Sequence, residues 1–233
     1  MARKKNRSKV TNKIRHLITK INPKSPISEQ YRTIRTNIQF ASVENPIRSM
    51  IVTSSGPSEG KSTTTANLAI VYAQQGKRVL LIDADLRKPT IHYTFRLDNL
   101  RGLSNVLVGE RSLEEVVHES DVPGLDVVSC GPIPPNPSEL LGSKKMRDML
   151  DYAKDQYDII MLDTPPVLAV TDAQILANFV DGSILVIRSG YTEIEAATKA
   201  KEALEPARAK LLGTVLNGRE KTASNYYYYY GTN

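Results

Sequence analysis

The chain has 233 residues, 40% of them hydrophobic and 24% charged, which is enough for one α/β domain with a full core. Its apolar runs, such as residues 50–52 and 79–82, fall far short of the roughly 20 residues that cross a bilayer, and the basic N-terminus lacks the apolar core and cleavage site of a secretory signal. With Cys130 as its single cysteine there is no disulfide framework, and a reducing, cytoplasmic setting is expected.

The net charge of +6 is unevenly placed, since residues 1–28 hold nine Lys or Arg and no acid, leaving 22 basic against 25 acidic residues in the rest. Residues 1–27 therefore read as a basic arm. Within it Ile14, Leu17, Ile18 and Ile21 recur at i, i+3, i+4, i+7, one face of a helix, while Lys13, Arg15 and Lys20 lie off it. Such a helix suits an anionic membrane surface or the tail of a membrane partner, or simply a solvated arm. No aromatic residues interleave its cations, so nucleic acid is not an expected partner.

Ser28 is expected to cap a helix running to about Val43, with Glu29 favourable at its positive end. Apolar runs at residues 50–53, 79–82, 125–128, 159–162, 183–187 and 211–216 predict buried strands. Between most of them, helices are predicted over residues 62–75, 138–154, 171–178 and 192–204. The alternation predicts an α/β fold with a mostly parallel central sheet covered by helices on both faces. Residues 28–218 would form this domain, and residues 219–233 a flexible tail. Residues 131–137 read as a proline-rich loop that leads into a helix.

The segment SSGPSEGKS, residues 54–62, follows the first predicted strand and opens a helix, the context that a phosphate-binding P-loop requires. Gly56, Pro57, Ser58, Glu59 and Gly60, with Lys61, Ser62 and Thr63 at the helix start, would surround the phosphates, which the helix dipole and the backbone N–H groups of all but Pro57 would hold. Lys61 supplies a point charge to the phosphate oxygens, and the Ser62 hydroxyl is placed for Mg²⁺. The usual first glycine of the motif falls at Ser55. Two more runs, VLLIDAD (79–85) and IIMLD (159–163), end apolar strands in carboxylates, where ligand sites in open α/β sheets lie. Asp83, Asp85 and Asp163 would thus converge on the metal beside Lys61, although a carboxylate at a strand end can also be a helix cap. His16, His92 and His118 are too scattered for a metal site.

The P-loop combined with LLIDADLR (80–87), Lys88-Pro89 and LDTPP (162–166) resembles the bacterial tyrosine kinases. The resemblance continues through GPIPPNPSELL (131–141) and EQYRTIR (29–35), ends in the cluster Tyr226, Tyr227, Tyr228, Tyr229 and Tyr230, and spans roughly residues 25–233. It implies a P-loop NTPase fold using ATP and Mg²⁺. It further implies Asp83 as the base, Asp85 and Asp163 on the metal with Ser62, and Asn217 against adenine. Residues alone leave the three aspartates interchangeable and Asn217 open as a turn residue.

The same resemblance implies that Glu29, Arg32 and Arg35 join subunits into a homo-oligomeric ring, and the reach of residues 219–233, roughly 50 Å when extended, favours phosphorylation in trans. The spacing alone is equally that of an intrahelical pair. It also implies a membrane-anchored activator lending a cytoplasmic tail, other tyrosine substrates, a cognate phosphatase, and a role in capsular or extracellular polysaccharide production at the inner membrane face. The related septum-site and chromosome-partitioning ATPases, which would make the protein an ATPase switch, carry a lysine where this chain has Gly56, and lack a tyrosine tail.

Overall fold

Among the described residues seven strands form one sheet: β1 (Ser49–Ser54), β2 (Val79–Asp83), β3 (Val117–Glu119), β4 (Leu125–Val128), β5 (Ile159–Asp163), β6 (Gly182–Arg188) and β7 (Lys210–Asn217). This computed structural model describes residues 17–41 and 46–219; Lys13, Ile14, Arg15, Val43 and the five tyrosines lie outside them. The strand order is β3-β4-β2-β5-β1-β6-β7. Only β3 runs antiparallel to its neighbour.

Side chains alternate across the sheet because successive strand residues point to opposite faces. Met50, Val52, Leu81 and Met161 enter one core layer; Ile51, Leu80, Ile82 and Leu162 enter the other. The first layer is covered by α1 (Ile18–Ile21), α2 (Pro26–Phe40) and α3 (Lys61–Ala73). The short α4 (Ile91–Phe95) adds Ile91 to that layer, and α5 (Leu103–Val108) lies on the other. There it is joined by α6 (Pro137–Leu141), α7 (Lys144–Gln156), α8 (Asp172–Leu176) and α9 (Ile194–Leu204). The mostly parallel sheet covered on both faces is the arrangement expected from the alternating pattern. Among the described residues no helix is long and apolar enough to cross a membrane.

Four local expectations change. The cap of α2 is Ser25, whose side chain accepts from the Ser28 N–H at 3.1 Å, with Pro26 pre-setting the first turn. The helix expected over residues 138–154 breaks at Gly142 and restarts where Ser143 accepts from Met146 N–H. β3, α4 and α5 were too short for periodicity to reveal. Finally, the arm boundary at residue 27 falls within the folded body. Leu17 and Thr19 are buried, and the Thr19 N–H and hydroxyl both donate to the Asn67 side chain on α3, at 3.0 and 2.8 Å.

Candidate active site

β1, β2 and β5 end side by side, and the register sets Asp163 across from both Val52 and Asp83. Residues 55–60 carry the chain from β1 into α3, whose N-terminal amides have no partners within the helix. Gly60 adopts φ +97°, and a Cβ there would lie 2.0 Å from the Asn217 side-chain nitrogen, so glycine alone fits both the backbone and the space.

Lys61 heads α3, and its ammonium lies 3.0 Å from Asp85 Oδ2, 3.5 Å from Asp163 Oδ2 and 3.3 Å from the Ser62 hydroxyl. Burial works against its charge, but Asp163 and Asp85 outweigh it, and the pKa of Lys61 is raised. Thr65, one turn further along, donates to Asp163 Oδ1 at 3.3 Å, and Thr90 places its hydroxyl 3.2 Å from that of Ser62.

Asp83 is fully buried beneath this group. Its Oδ2 accepts the Thr90 and Ile91 N–H groups at 2.8 and 2.9 Å, and its Oδ1 the Asp85 N–H at 3.3 Å. Burial and then the neighbouring Asp163 push Asp83 up to about 7 against these donors and Lys61. The side chain is thus both a cap on the 90–91 turn and a carboxylate that ionises with difficulty.

The oxygen donors fit Mg²⁺, a hard cation that prefers a few carboxylate or hydroxyl ligands and keeps its remaining positions for water and phosphate. The Ser62, Asp85 and Asp163 oxygens all lie within 3.5 Å of the Lys61 ammonium, so these three donors converge on one place beside the loop. Among the described residues no group of three His, Cys, Asp or Glu forms a closed metal cage.

The other predicted residues are placed as follows. Asn217 reaches the loop at the end of β7, where its side-chain N–H donates to the Glu59 carbonyl at 2.9 Å. The Glu59 carboxylate is engaged by hydroxyls within the fold. Glu29 and Arg32 pair along α2, whereas Arg35 leaves them and donates to the Val71 carbonyl on α3 at 2.8 Å.

Sequence reasoning missed Ser55, Thr65, Thr90 and Thr192, and a bracket behind Asp85. In that bracket Arg87 donates to Asp172 at 2.9 and 3.1 Å and to Ser138 at 2.8 Å. Only Thr65, four residues after Lys61 on one helix face, left a readable signal.

The AAA domain family model matches residues 53–207. The tyrosine-protein kinase YwqD of Bacillus subtilis (strain 168) is 56% identical over 232 residues, covering 100% of this chain and 97% of the relative. The chain belongs to the bacterial tyrosine kinase family. A second family member, the putative tyrosine-protein kinase CapB of Staphylococcus aureus, is 45% identical over 90% of this chain and 92% of its own. The solved structure of the chimerical protein CapA2B2 superposes with a TM-score of 0.86 at 44% identity, covering 88% of this chain and 90% of that one. The wider P-loop fold of the family extends to the septum site-determining protein MinD from Pyrococcus horikoshii OT3. That protein, complexed with Mg-ADP, is 24% identical and reaches a TM-score of 0.63 over 77% of this chain and 76% of its own.

Proposed function

We propose that the protein is an ATP-dependent tyrosine autokinase that transfers the γ-phosphate to Tyr226, Tyr227, Tyr228, Tyr229 and Tyr230 of a neighbouring subunit, and to other proteins. The observation that carries this reading is the Lys61 ammonium held between Asp85 and Asp163, with Asp83 on the adjoining strand end, in a chain bearing five consecutive tyrosines.

Phosphoryl transfer asks mainly for positioning and charge neutralisation. In this reading the backbone of residues 56–63 and the Lys61 ammonium hold the β and γ phosphates, and Asn217 lies on the adenine side. Mg²⁺, held by Ser62, Asp85 and Asp163 in part through water, would neutralise charge on the phosphate oxygens. A tyrosine hydroxyl, pKa about 10, is a weak nucleophile at neutral pH. Asp83 takes its proton as the new O–P bond forms and the bond from the γ-phosphorus to the ADP oxygen breaks.

Residues 219–233 span at most about 50 Å when extended, which supports reach into a neighbouring subunit. A ring built through Glu29, Arg32 and Arg35 would keep tails at high effective concentration near active sites. Relatives matched over 97% and 92% of their own length support the split form of the family. In that form a separate membrane-anchored protein lends an activating cytoplasmic tail, a phosphatase reverses the modification, and polysaccharide production is regulated at the inner membrane face.

Labelled ATP with Mg²⁺ tests the reading, with phosphate mapped by mass spectrometry. Label on the tyrosine cluster that disappears in Lys61→Ala and in the five-fold Tyr→Phe variant is expected. Free phosphate alone, even with a candidate activator tail present, would replace the kinase by a partitioning-type ATPase switch.

A further inference from the structure

A carboxylate in the middle of a phosphate loop is out of place electrostatically, since it repels the ligand the loop is built for. Glu59 occupies that position and is only 3% exposed. Its contacts are hydroxyls: Ser55 donates to Oε1 and Oε2 at 2.8 and 2.9 Å, and Thr192 donates to Oε1 at 2.6 Å. Thr192 belongs to the turn between β6 and α9, where its hydroxyl also accepts the Arg188 N–H at 2.9 Å. The Glu59 carbonyl accepts from Asn217, and the carbonyl of the preceding Ser58 accepts from Arg188 at 3.5 Å. Ser189 N–H donates to the Asn217 carbonyl at 2.8 Å, closing the circuit between the ends of β6 and β7.

Ser55 stands where P-loops commonly place their first glycine. Its hydroxyl, four residues before Glu59, explains the departure: the pair braces the loop across its own width. Thr192 then ties the brace to the elements that flank the loop on the Asn217 side. The carboxylate accepts from both sides at once, which a neutral side chain of the same length does with one oxygen and an alanine does not do at all.

We propose that Glu59 is a positioning residue that couples the base side of the nucleotide site to its phosphate loop, and so sets how strongly the protein prefers ATP over a bare polyphosphate. The proposal rests on the nucleotide-binding part of the reading above and not on where the phosphate goes. Loosening the brace leaves the loop amides and Lys61 available to a polyphosphate, but lets the Arg188, Thr192 and Asn217 side drift relative to them. The base contribution to affinity is then lost while the phosphate contribution remains.

Calorimetric titration of the full chain with Mg-ATP and with Mg-tripolyphosphate tests this, using the wild type, Glu59→Ala, Glu59→Gln and Thr192→Val, each checked by thermal unfolding. The ATP-to-tripolyphosphate affinity ratio is expected to fall about tenfold in Glu59→Ala and Thr192→Val, the scale of one lost hydrogen-bonded link. Glu59→Gln, which retains an acceptor oxygen, is expected to stay within about threefold of wild type. Equal losses for both ligands, or an unchanged ratio, would overturn the coupling. Thr192→Val keeps the test decisive if Glu59→Ala does not fold. Phosphoryl transfer is not read, so failure of the autokinase reading leaves this result standing; a wild type that binds neither ligand would overturn the coupling and the nucleotide site together.

Discussion

Lys61 lies 3.0 Å from Asp85 and 3.5 Å from Asp163, so one ammonium is shared by two carboxylates, one just past the end of β2 and one at the end of β5. The same cation is the one expected to meet phosphate. In the proposed reading a bound nucleotide would draw the Lys61 ammonium towards phosphate, leaving Asp85 and Asp163 as the oxygens that would hold Mg²⁺.

Removing Lys61 should cost stability before it costs catalysis. Breaking a buried ion pair from one side typically costs about 3–5 kcal/mol, and the lower end is expected at a polar site mouth. Lys61→Met should lower the unfolding midpoint in nucleotide-free, chelated buffer, and added Mg²⁺ should recover part of the loss. Calorimetry in both buffers measures it, and an unchanged midpoint in chelator would count against the shared-cation arrangement.

The bracket behind Asp85 makes a second prediction. Asp172 is completely buried, and Arg87 with Ser138 holds both of its oxygens. Arg87→Ala leaves that carboxylate without its cation, a loss of about 2–3 kcal/mol by the cost of an unsatisfied buried charge. Arg87→Ala combined with Asp172→Ala should be less destabilised than the sum of the single variants, because the buried charge leaves with its partner. Denaturant unfolding of the four proteins checks this; strict additivity would remove the bracket.

Alkaline pH should weaken the fold through Tyr72. Burial pushes this phenol up to about 12, with nearby Arg35 opposing the shift. The unfolded phenol ionises near pH 10, so its stability contribution is full below pH 10 and is lost as pH rises through about 12. The loss is on the order of 3 kcal/mol. Tyr157, raised by burial and by its hydrogen bond to Asp126, adds to the same decline. Tyr72→Phe should flatten the stability profile between pH 10 and 12, and an unaltered slope would assign the decline elsewhere.

The proposed ring residues separate into two kinds. Arg35 anchors α2 to the Val71 carbonyl, whereas Glu29 and Arg32 pair at the surface. An exposed pair contributes about 0–1 kcal/mol to folding, so Glu29→Ala and Arg32→Ala should alter oligomer mass with little change in melting, while Arg35→Ala should lower both. Light scattering beside thermal unfolding distinguishes them. Autophosphorylation should likewise reduce the mass, because each phosphotyrosine adds about −1.5 to −2 charges to crowded tails; equal mass before and after ATP would contradict it.

The parallel sheet was legible because 79–82 and 159–162 are unbroken apolar runs that end in aspartate, and a strand buried on both faces leaves that trace. The P-loop was legible because its glycine, lysine and serine follow one another along the chain. β3 escaped because three residues, VHE, at an antiparallel edge carry no period. The connections that organise the site escaped for a different reason: Arg87 and Asp172 are 85 positions apart, and Glu59 and Thr192 133 apart. Such pairs meet only once the strand order is known, so no local pattern announces them. Ser55 departs from the usual glycine of a P-loop, and its partner, the Glu59 carboxylate four residues on, has no motif that marks it.

Phosphoryl transfer between copies of the chain is distinguished from transfer within one copy by a mixing experiment. Lys61→Ala protein with its tyrosines intact would be combined with protein that keeps Lys61 but carries phenylalanine at positions 226–230, in the presence of labelled ATP, Mg²⁺ and a candidate activator tail. Label on the tyrosine cluster of the Lys61→Ala chain is the predicted result. An unlabelled cluster there, with wild-type protein labelled under the same conditions, would contradict transfer in trans.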